Sequence, residues 1–218
     1  TAQAIGATYT FRNGHKQKAG CIGDIGTTSF FPSKNLGCYG DGGALFIRDN
    51  QLAERAHMIA NHGQEIKYHH DIVGCNSRLD TLQAAILDVK LKYLDEYTAA
   101  RNQVADRYDK ELASVKGIIL PQRANDSTHV FHQYTIRVEN HRRDELKDYL
   151  MQQGIPSMIY YPIPLHLQKA YTKEGQGKGT FPVAEQLSEE VLSLPMHTEM
   201  KPEEQEYIIE KIHAFFNR

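Results

Sequence analysis

Apolar residues change their spacing several times along the chain, and each change marks the limit of an element. Residues 8–12 and 17–22 alternate polar and apolar positions about Asn13-Gly14, a dipeptide that accepts the positive φ values of a tight turn, and this predicts a hairpin. Glycine then recurs at Gly20, Gly23, Gly26, Gly37, Gly40, Gly42 and Gly43, too densely for a helix, so strands joined by close-packed turns are expected. Ala44-Leu45-Phe46-Ile47 reads as a buried strand, Gln51 to Asn61 as a helix, and His62 to Gly74 as a polar, histidine-rich loop. From Arg78 to about Ser114 there is neither Gly nor Pro, and Leu79, Leu82, Ile86, Val89, Tyr93, Tyr97, Val104, Tyr108 and Leu112 recur mostly three or four residues apart. That spacing predicts one long helix or two nearly collinear ones, long enough to connect two domains.

Beyond Pro121, Phe131 to Val138 alternates as a strand, Arg143 to Gln153 as a helix stopped by Gly154, and Ile155 to Tyr161 as a strand ended by Pro162, together a β-α-β unit. Two further helices are predicted at Val183 to Leu194 and Pro202 to Asn217, the second with proline in its first turn, where a missing N–H costs nothing.

Composition narrows the classes. The 218 residues carry 25 Lys plus Arg against 27 Asp plus Glu, a net charge of −2 that gives no electrostatic basis for nucleic-acid binding. No apolar run approaches the roughly 18 residues of a membrane span, and the first residues lack the regions of a signal peptide, so a soluble chain without a membrane role is expected. Cys21, Cys38 and Cys75 are odd in number and widely spaced, which suits a reducing cytoplasm and indicates neither disulfides nor a zinc knuckle. The first residue is Thr and leads straight into a patterned segment, so further sequence upstream is expected.

The segment from Ser29 to Ala44, Ser-Phe-Phe-Pro-Ser-Lys-Asn-Leu-Gly-Cys-Tyr-Gly-Asp-Gly-Gly-Ala, holds one lysine, Lys34, between apolar residues and a glycine-rich turn. An amine in water is mostly a protonated ammonium, and desolvation or a nearby cation frees it for imine chemistry. The glycines let backbone approach a flat ligand, and the hydroxyls of Ser29 and Ser33 are potential phosphate donors. From spacing alone, a solvated loop lysine is the better reading.

Three ordered motifs change that reading. Thr1-Ala2-Gln3-Ala4, then Ser29 to Ala44, then Gly74-Cys75-Asn76-Ser77-Arg78-Leu79-Asp80-Thr81-Leu82-Gln83-Ala84-Ala85 resemble the DegT/StrS-type family of sugar aminotransferases, which use pyridoxal 5′-phosphate. His132-Gln133-Tyr134, Tyr161-Pro162-Ile163-Pro164-Leu165-His166 and Leu194-Pro195-Met196-His197 are similar to later segments of that family. The resemblance implies an α/β fold of the fold-type I class: the C-terminal part of the large cofactor-binding domain over residues 1–95, a connecting helix over 96–120, and a small α/β domain over 121–218. It implies that Lys34 forms the Schiff base, that Ser29 contacts the cofactor phosphate, and that Gln3 lies near the phenolic oxygen. Asn76 is then the residue that reaches the phosphate of a neighbouring subunit, which requires a homodimer with shared sites. Arg78 is a candidate for phosphate or substrate-anion contact, with a structural ion pair an equal alternative.

In that family the Ala-Gln stretch follows an acidic pair whose aspartate faces the pyridine nitrogen. The present sequence opens just past that position and is therefore expected to be the C-terminal portion of a longer enzyme. The implied reaction is ping-pong: glutamate gives up its amine, with Lys34 moving the proton at the donor carbon, and a keto sugar held by its nucleotide receives it. A lysine rather than histidine at position 34 argues against the dehydratase branch. Lys34-Asn35-Leu36-Gly37 and Gly40-Asp41-Gly42-Gly43 are more similar to the branch that aminates C3 of a nucleotide sugar than to the branch acting at C4, and within it Ser29 to Ala44 resembles enzymes that aminate UDP-linked 3-keto-N-acetylglucosaminuronic acid for surface polysaccharide such as lipopolysaccharide. A 4-keto-6-deoxy sugar aminotransferase and a non-catalytic assembly or regulatory relative are the alternatives.

Other clusters carry less. His69-His70, with His57 and His62, lacks the acidic or thiol partners of a metal site and reads as a surface loop. His129 and His132, flanking a strand start, fall on opposite faces by parity. No metal is expected. Tyr161 and His166 are candidates for the substrate pocket, with packing for one of the Tyr160–Tyr161 pair and an ordinary loop histidine as the competing readings.

Overall fold

Gly14, at a φ of 81°, closes the first hairpin by donating its N–H to the Phe11 carbonyl. The computed structural model describes residues 1–172 and 176–217. On either side of that turn β1 (Thr8–Thr10) and β2 (Lys16–Lys18) pair antiparallel, with Tyr9 opposite Gln17. A second antiparallel pair, β3 (Ile25–Ser29) and β4 (Gly43–Ile47), sets Thr27 opposite Leu45 and leads from β3 directly into the Lys34 turn. The strand at Ala44 to Ile47 is present, and in this chain Leu45 is 53% and Phe46 36% exposed rather than buried.

Helix α1 (Asn50–Ala60) starts where the Asp49 carboxylate accepts the Leu52 N–H at 2.8 Å. The long periodic stretch resolves into α2 (Thr81–Leu91) and α3 (Leu94–Leu112), with Lys92 and Tyr93 between them. Phe30, Leu36, Cys38, Leu87 and Leu94 form the core of this part of the chain, so Leu87 of α2 and Leu94 of α3 pack against the Lys34 segment, while Leu82, Val89 and Leu91 of α2 are exposed.

The chain divides into two compact units, residues 1–99 with 123–132, and residues 100–122 with 133–218. In the second, β5 (Ile118–Ile119), β6 (Tyr134–Val138) and β7 (Val191–Leu194) make an antiparallel sheet in the order β5-β6-β7. Helix α4 (Arg143–Gln152) ends at Gly154, whose φ is 74°, and packs on β7 and on α6 (Pro202–Phe216). Helix α5 (Pro182–Glu190) packs on β6. The buried side chains of Tyr108, Tyr134, Ile136, Leu146, Leu192 and Ile212 fill this core.

Three expectations are corrected. The helix read over Val183 to Leu194 stops at Glu190, and Val191 to Leu194 become β7, because pairing with β6 buries that β-favouring run on the sheet. Ile155 to Tyr161 is not a strand; Met158 makes an isolated bridge to Ser193 and no ladder follows, so the partner of β6 is β7 and the β-α-β reading fails. The strand read from Phe131 begins at Tyr134, since Phe131 takes a φ of 41°, and the parity argument for His129 and His132 does not apply.

Candidate active site

The segment that carries Lys34 is a loop closed on itself. Phe30 donates its N–H to the Gly42 carbonyl, Cys38 returns its N–H to the Phe30 carbonyl, and Lys34 closes the tip by donating to the Phe31 carbonyl at 2.8 Å. The buried Cys38 thiol donates to the same Phe30 oxygen at 3.0 Å. Glycine is required at two points where a Cβ would meet backbone oxygen: one on Gly37 would stand 2.4 Å from the Pro32 carbonyl oxygen, and one on Gly43 2.8 Å from that of Thr28.

Lys34 is half-buried at this tip, and among the described residues its amine makes neither a hydrogen bond nor an ion pair. Ser29, the last residue of β3, accepts the Phe31 N–H at 3.3 Å and keeps its own hydroxyl proton for another acceptor. The structure thus brings Ser29 and Lys34 to one loop. Gln3 is exposed, in a turn closed by the Ala4 N–H on the Thr1 carbonyl, and the Thr1 hydroxyl donates to the Thr27 carbonyl. That contact holds the Gln3 turn beside the strand that ends in Ser29.

Asn76 and Arg78 belong to a different loop. Asn76 bridges to Asn61, and its Oδ1 accepts the Arg78 Nε–H at 3.1 Å, so these two pair with each other rather than with Ser29 or Lys34. Arg78 also lines a cleft with Thr28, Asp41, His57 and Ser77. In the second unit Tyr161 and His166 line an apolar groove with Ile163, Leu165 and Phe181. Tyr161 is exposed and lies outside any strand, whereas the His166 ring is buried in a single 3-10 turn with Nε2 2.9 Å from Glu185 Oε1. The backbone N–H of Gly179, first of all, and then the His166 ring and the Phe181 N–H hold the Glu185 carboxyl below the ordinary carboxylate range against partial burial. His166 is thus a latch between its loop and the start of α5.

Sequence reasoning left the supports of Lys34 unassigned. Asn35 is buried, Gln83 Oε1 accepts the Tyr39 N–H at 2.8 Å, and Lys90 Nζ donates to the Gly37 carbonyl at 2.5 Å. Gln83 was inside a motif, but no local pattern announces a contact across 44 positions. Among the described residues no group of three or more His, Cys, Asp or Glu side chains is placed to hold a metal ion, and no helix is long and apolar enough to cross a membrane.

The donor set suits pyridoxal 5′-phosphate at two points it would touch: an uncommitted amine for an aldehyde and a free hydroxyl proton for a phosphate oxygen.

Two solved structures share this architecture. The chain superposes on S. venezuelae DesV, solved in complex with a ketimine intermediate, with a TM-score of 0.92 at 41% identity, over 100% of this chain and 57% of that one. It superposes on NtdA from Bacillus subtilis with bound cofactor PMP with a TM-score of 0.82 at 32% identity, over 89% and 46%. The fold is the α/β fold of the fold-type I transferases. Residues 1–213 match the model of the DegT/DnrJ/EryC1/StrS aminotransferase family, and the chain belongs to that family.

Among its relatives, the pleiotropic regulatory protein of Geobacillus stearothermophilus is 47% identical over 99% of this chain and 56% of its own length. The UDP-2-acetamido-2-deoxy-3-oxo-D-glucuronate aminotransferase of Pseudomonas aeruginosa is 46% identical over 90% and 52%. The dTDP-3-amino-3,4,6-trideoxy-alpha-D-glucose transaminase of Streptomyces venezuelae is 41% identical over 100% and 55%. The chain spans about half the length of the curated relatives it matches.

Proposed function

We propose that this protein is a pyridoxal 5′-phosphate-dependent aminotransferase that moves an amino group from glutamate to a nucleotide sugar, acting in the cytoplasm as a homodimer. The observation that carries the reading is the uncommitted Lys34 amine at the tip of a closed loop that also presents the Ser29 hydroxyl. When bound, the cofactor supplies an aldehyde for imine exchange and a ring that draws electrons from the reacting carbon. Lys34 would hold it covalently, Ser29 would donate to its phosphate, and Gln3 would lie against its ring. The same Lys34 amine would serve as the base for the donor Cα proton, so one residue would be both nucleophile and base. Asn76 would complete the phosphate site of the neighbouring subunit.

For the acceptor, the Lys34-Asn35-Leu36-Gly37 and Gly40-Asp41-Gly42-Gly43 wording and the 46% identity to the UDP-2-acetamido-2-deoxy-3-oxo-D-glucuronate aminotransferase favour a UDP-linked 3-keto sugar acid of surface-polysaccharide synthesis. Tyr161, His166 and Arg78 are its candidate contacts. The test is borohydride reduction of the protein with pyridoxal 5′-phosphate, then peptide mapping and amination assays on UDP- and dTDP-linked keto sugars. Label at Lys34 and turnover of the UDP-linked 3-keto acid are expected, and both should vanish in Lys34→Ala. Full transamination by that variant would rule the mechanism out. A regulatory role is the second reading, supported by the 47% identical regulatory relative; it predicts no turnover of any keto sugar.

A further inference from the structure

We propose that His132 is a positioning residue for Lys34, acting through the side chain of Asn35. Asn35, next to Lys34, is 6% exposed and anchored at both ends of its amide: Nδ2 donates to the Val130 carbonyl at 2.8 Å, and Oδ1 lies 3.0 Å from Nδ1 of His132. The Val130 carbonyl can only accept, which turns the Asn35 oxygen toward His132 and requires the His132 proton on Nδ1. A lysine stem is a flexible chain of four carbons, so the placing of its amine depends on how firmly its backbone is held. The neighbouring amide, tied to a segment 97 positions later, supplies that precision.

The segment that delivers His132 is itself built to hold still. Phe131 is 2% exposed and takes a φ of 41°, a region that non-glycine residues occupy at a cost and keep where the surroundings over-determine them. Its N–H donates to His129 Nδ1 at 2.9 Å, and the Arg123 guanidinium sits 4.7 Å from its ring centroid. The left-handed residue turns the chain so that Val130 and His132 both meet Asn35. A histidine kept for packing alone would not need to face an amide oxygen with a donor.

The inference rests on the reading of Lys34 as the reactive amine. The test compares His132→Leu, which removes the donor, with His132→Asn, whose amide N–H can stand where Nδ1–H does, in the intact protein with pyridoxal 5′-phosphate as probe. In His132→Leu, amide exchange over residues 34–38 of the cofactor-free protein should quicken roughly tenfold. Borohydride-trappable label at Lys34 should form more slowly, and the single-turnover rate with glutamate should fall roughly ten- to a hundredfold, as for a misplaced reacting group. Half-saturating glutamate should stay within about twofold, and His132→Asn should recover most of the rate. Equal loss in both variants, or none in either, would overturn the proposal alone. Absence of label at Lys34 in the unsubstituted protein would overturn the Lys34 reading and this one with it.

Discussion

The Oε1 atom of Gln83 accepts the backbone N–H of Tyr39 at 2.8 Å, so the first turn of α2 grips the glycine-rich stretch just past Lys34. Lys90, two turns further on, grips the same stretch at the Gly37 carbonyl. One helix therefore holds the loop at two points. Gln83→Ala should destabilise the protein by about 0.5–1.5 kcal/mol, the net worth of one such bond, as read by urea unfolding. Amide exchange at Tyr39 should rise with it.

Gly37→Ala should cost more. The added Cβ would meet the Pro32 carbonyl oxygen at 2.4 Å; that oxygen belongs to backbone, and a Cβ has no rotamer by which to turn away. Overpacking of this kind costs about 1–3 kcal/mol. The expected outcome is a lower unfolding midpoint and a lower yield of label at Lys34 on borohydride reduction; wild-type values for both would show that the loop is looser than its hydrogen bonds imply.

Glu185 gives a pH dependence of defined sign. Its folded carboxyl sits below the ordinary value of 4.5, chiefly because Gly179 donates a backbone N–H to it. The unfolded chain therefore binds that proton more tightly, and the stabilisation is full above the unfolded pKa and is lost as pH falls through the folded one. Glu185→Gln should be less stable than wild type at about pH 7, and the gap between their urea midpoints should narrow as the solution is brought to about pH 3. A gap that widens in acid would contradict the hydrogen-bond scheme around His166.

Asn76→Asp separates the proposed role of Asn76 from its local one. Arg78 already donates to Asn76 Oδ1, so the new carboxylate has a cation beside it and folding stability should change by no more than about 1 kcal/mol. If Asn76 faces the phosphate of a neighbouring subunit, the same charge should weaken cofactor retention on dialysis by roughly tenfold or more, since like charges at close range repel by several kcal/mol. Unchanged retention would count against a shared site.

The Lys34 loop is more legible in the sequence than its supports. Ser29, Lys34 and the glycines stand within sixteen consecutive residues, where steric need and chemistry leave a local signature. Asn35 shows nothing until His132 is brought to it by a left-handed Phe131, a conformation no pattern of apolar residues encodes. The same division runs through the fold. Helices α1, α4 and α6 could be read from spacing and end signals, whereas Val191 to Leu194 continued the apolar run of α5 and became a strand by pairing with Tyr134 to Arg137. The break at Lys92 and Tyr93 lacks Gly or Pro and left no mark.

Cys38 lies four residues beyond Lys34 with no solvent exposure and its thiol hydrogen-bonded to Phe30, while Cys75 is exposed. A thiol alkylating agent will therefore consume Cys75 first and the half-buried Cys21 after it, and wait on Cys38 until the turn around it parts. The slowest phase of such labelling is a clock for the opening of the Lys34 loop, legible by mass in unliganded protein.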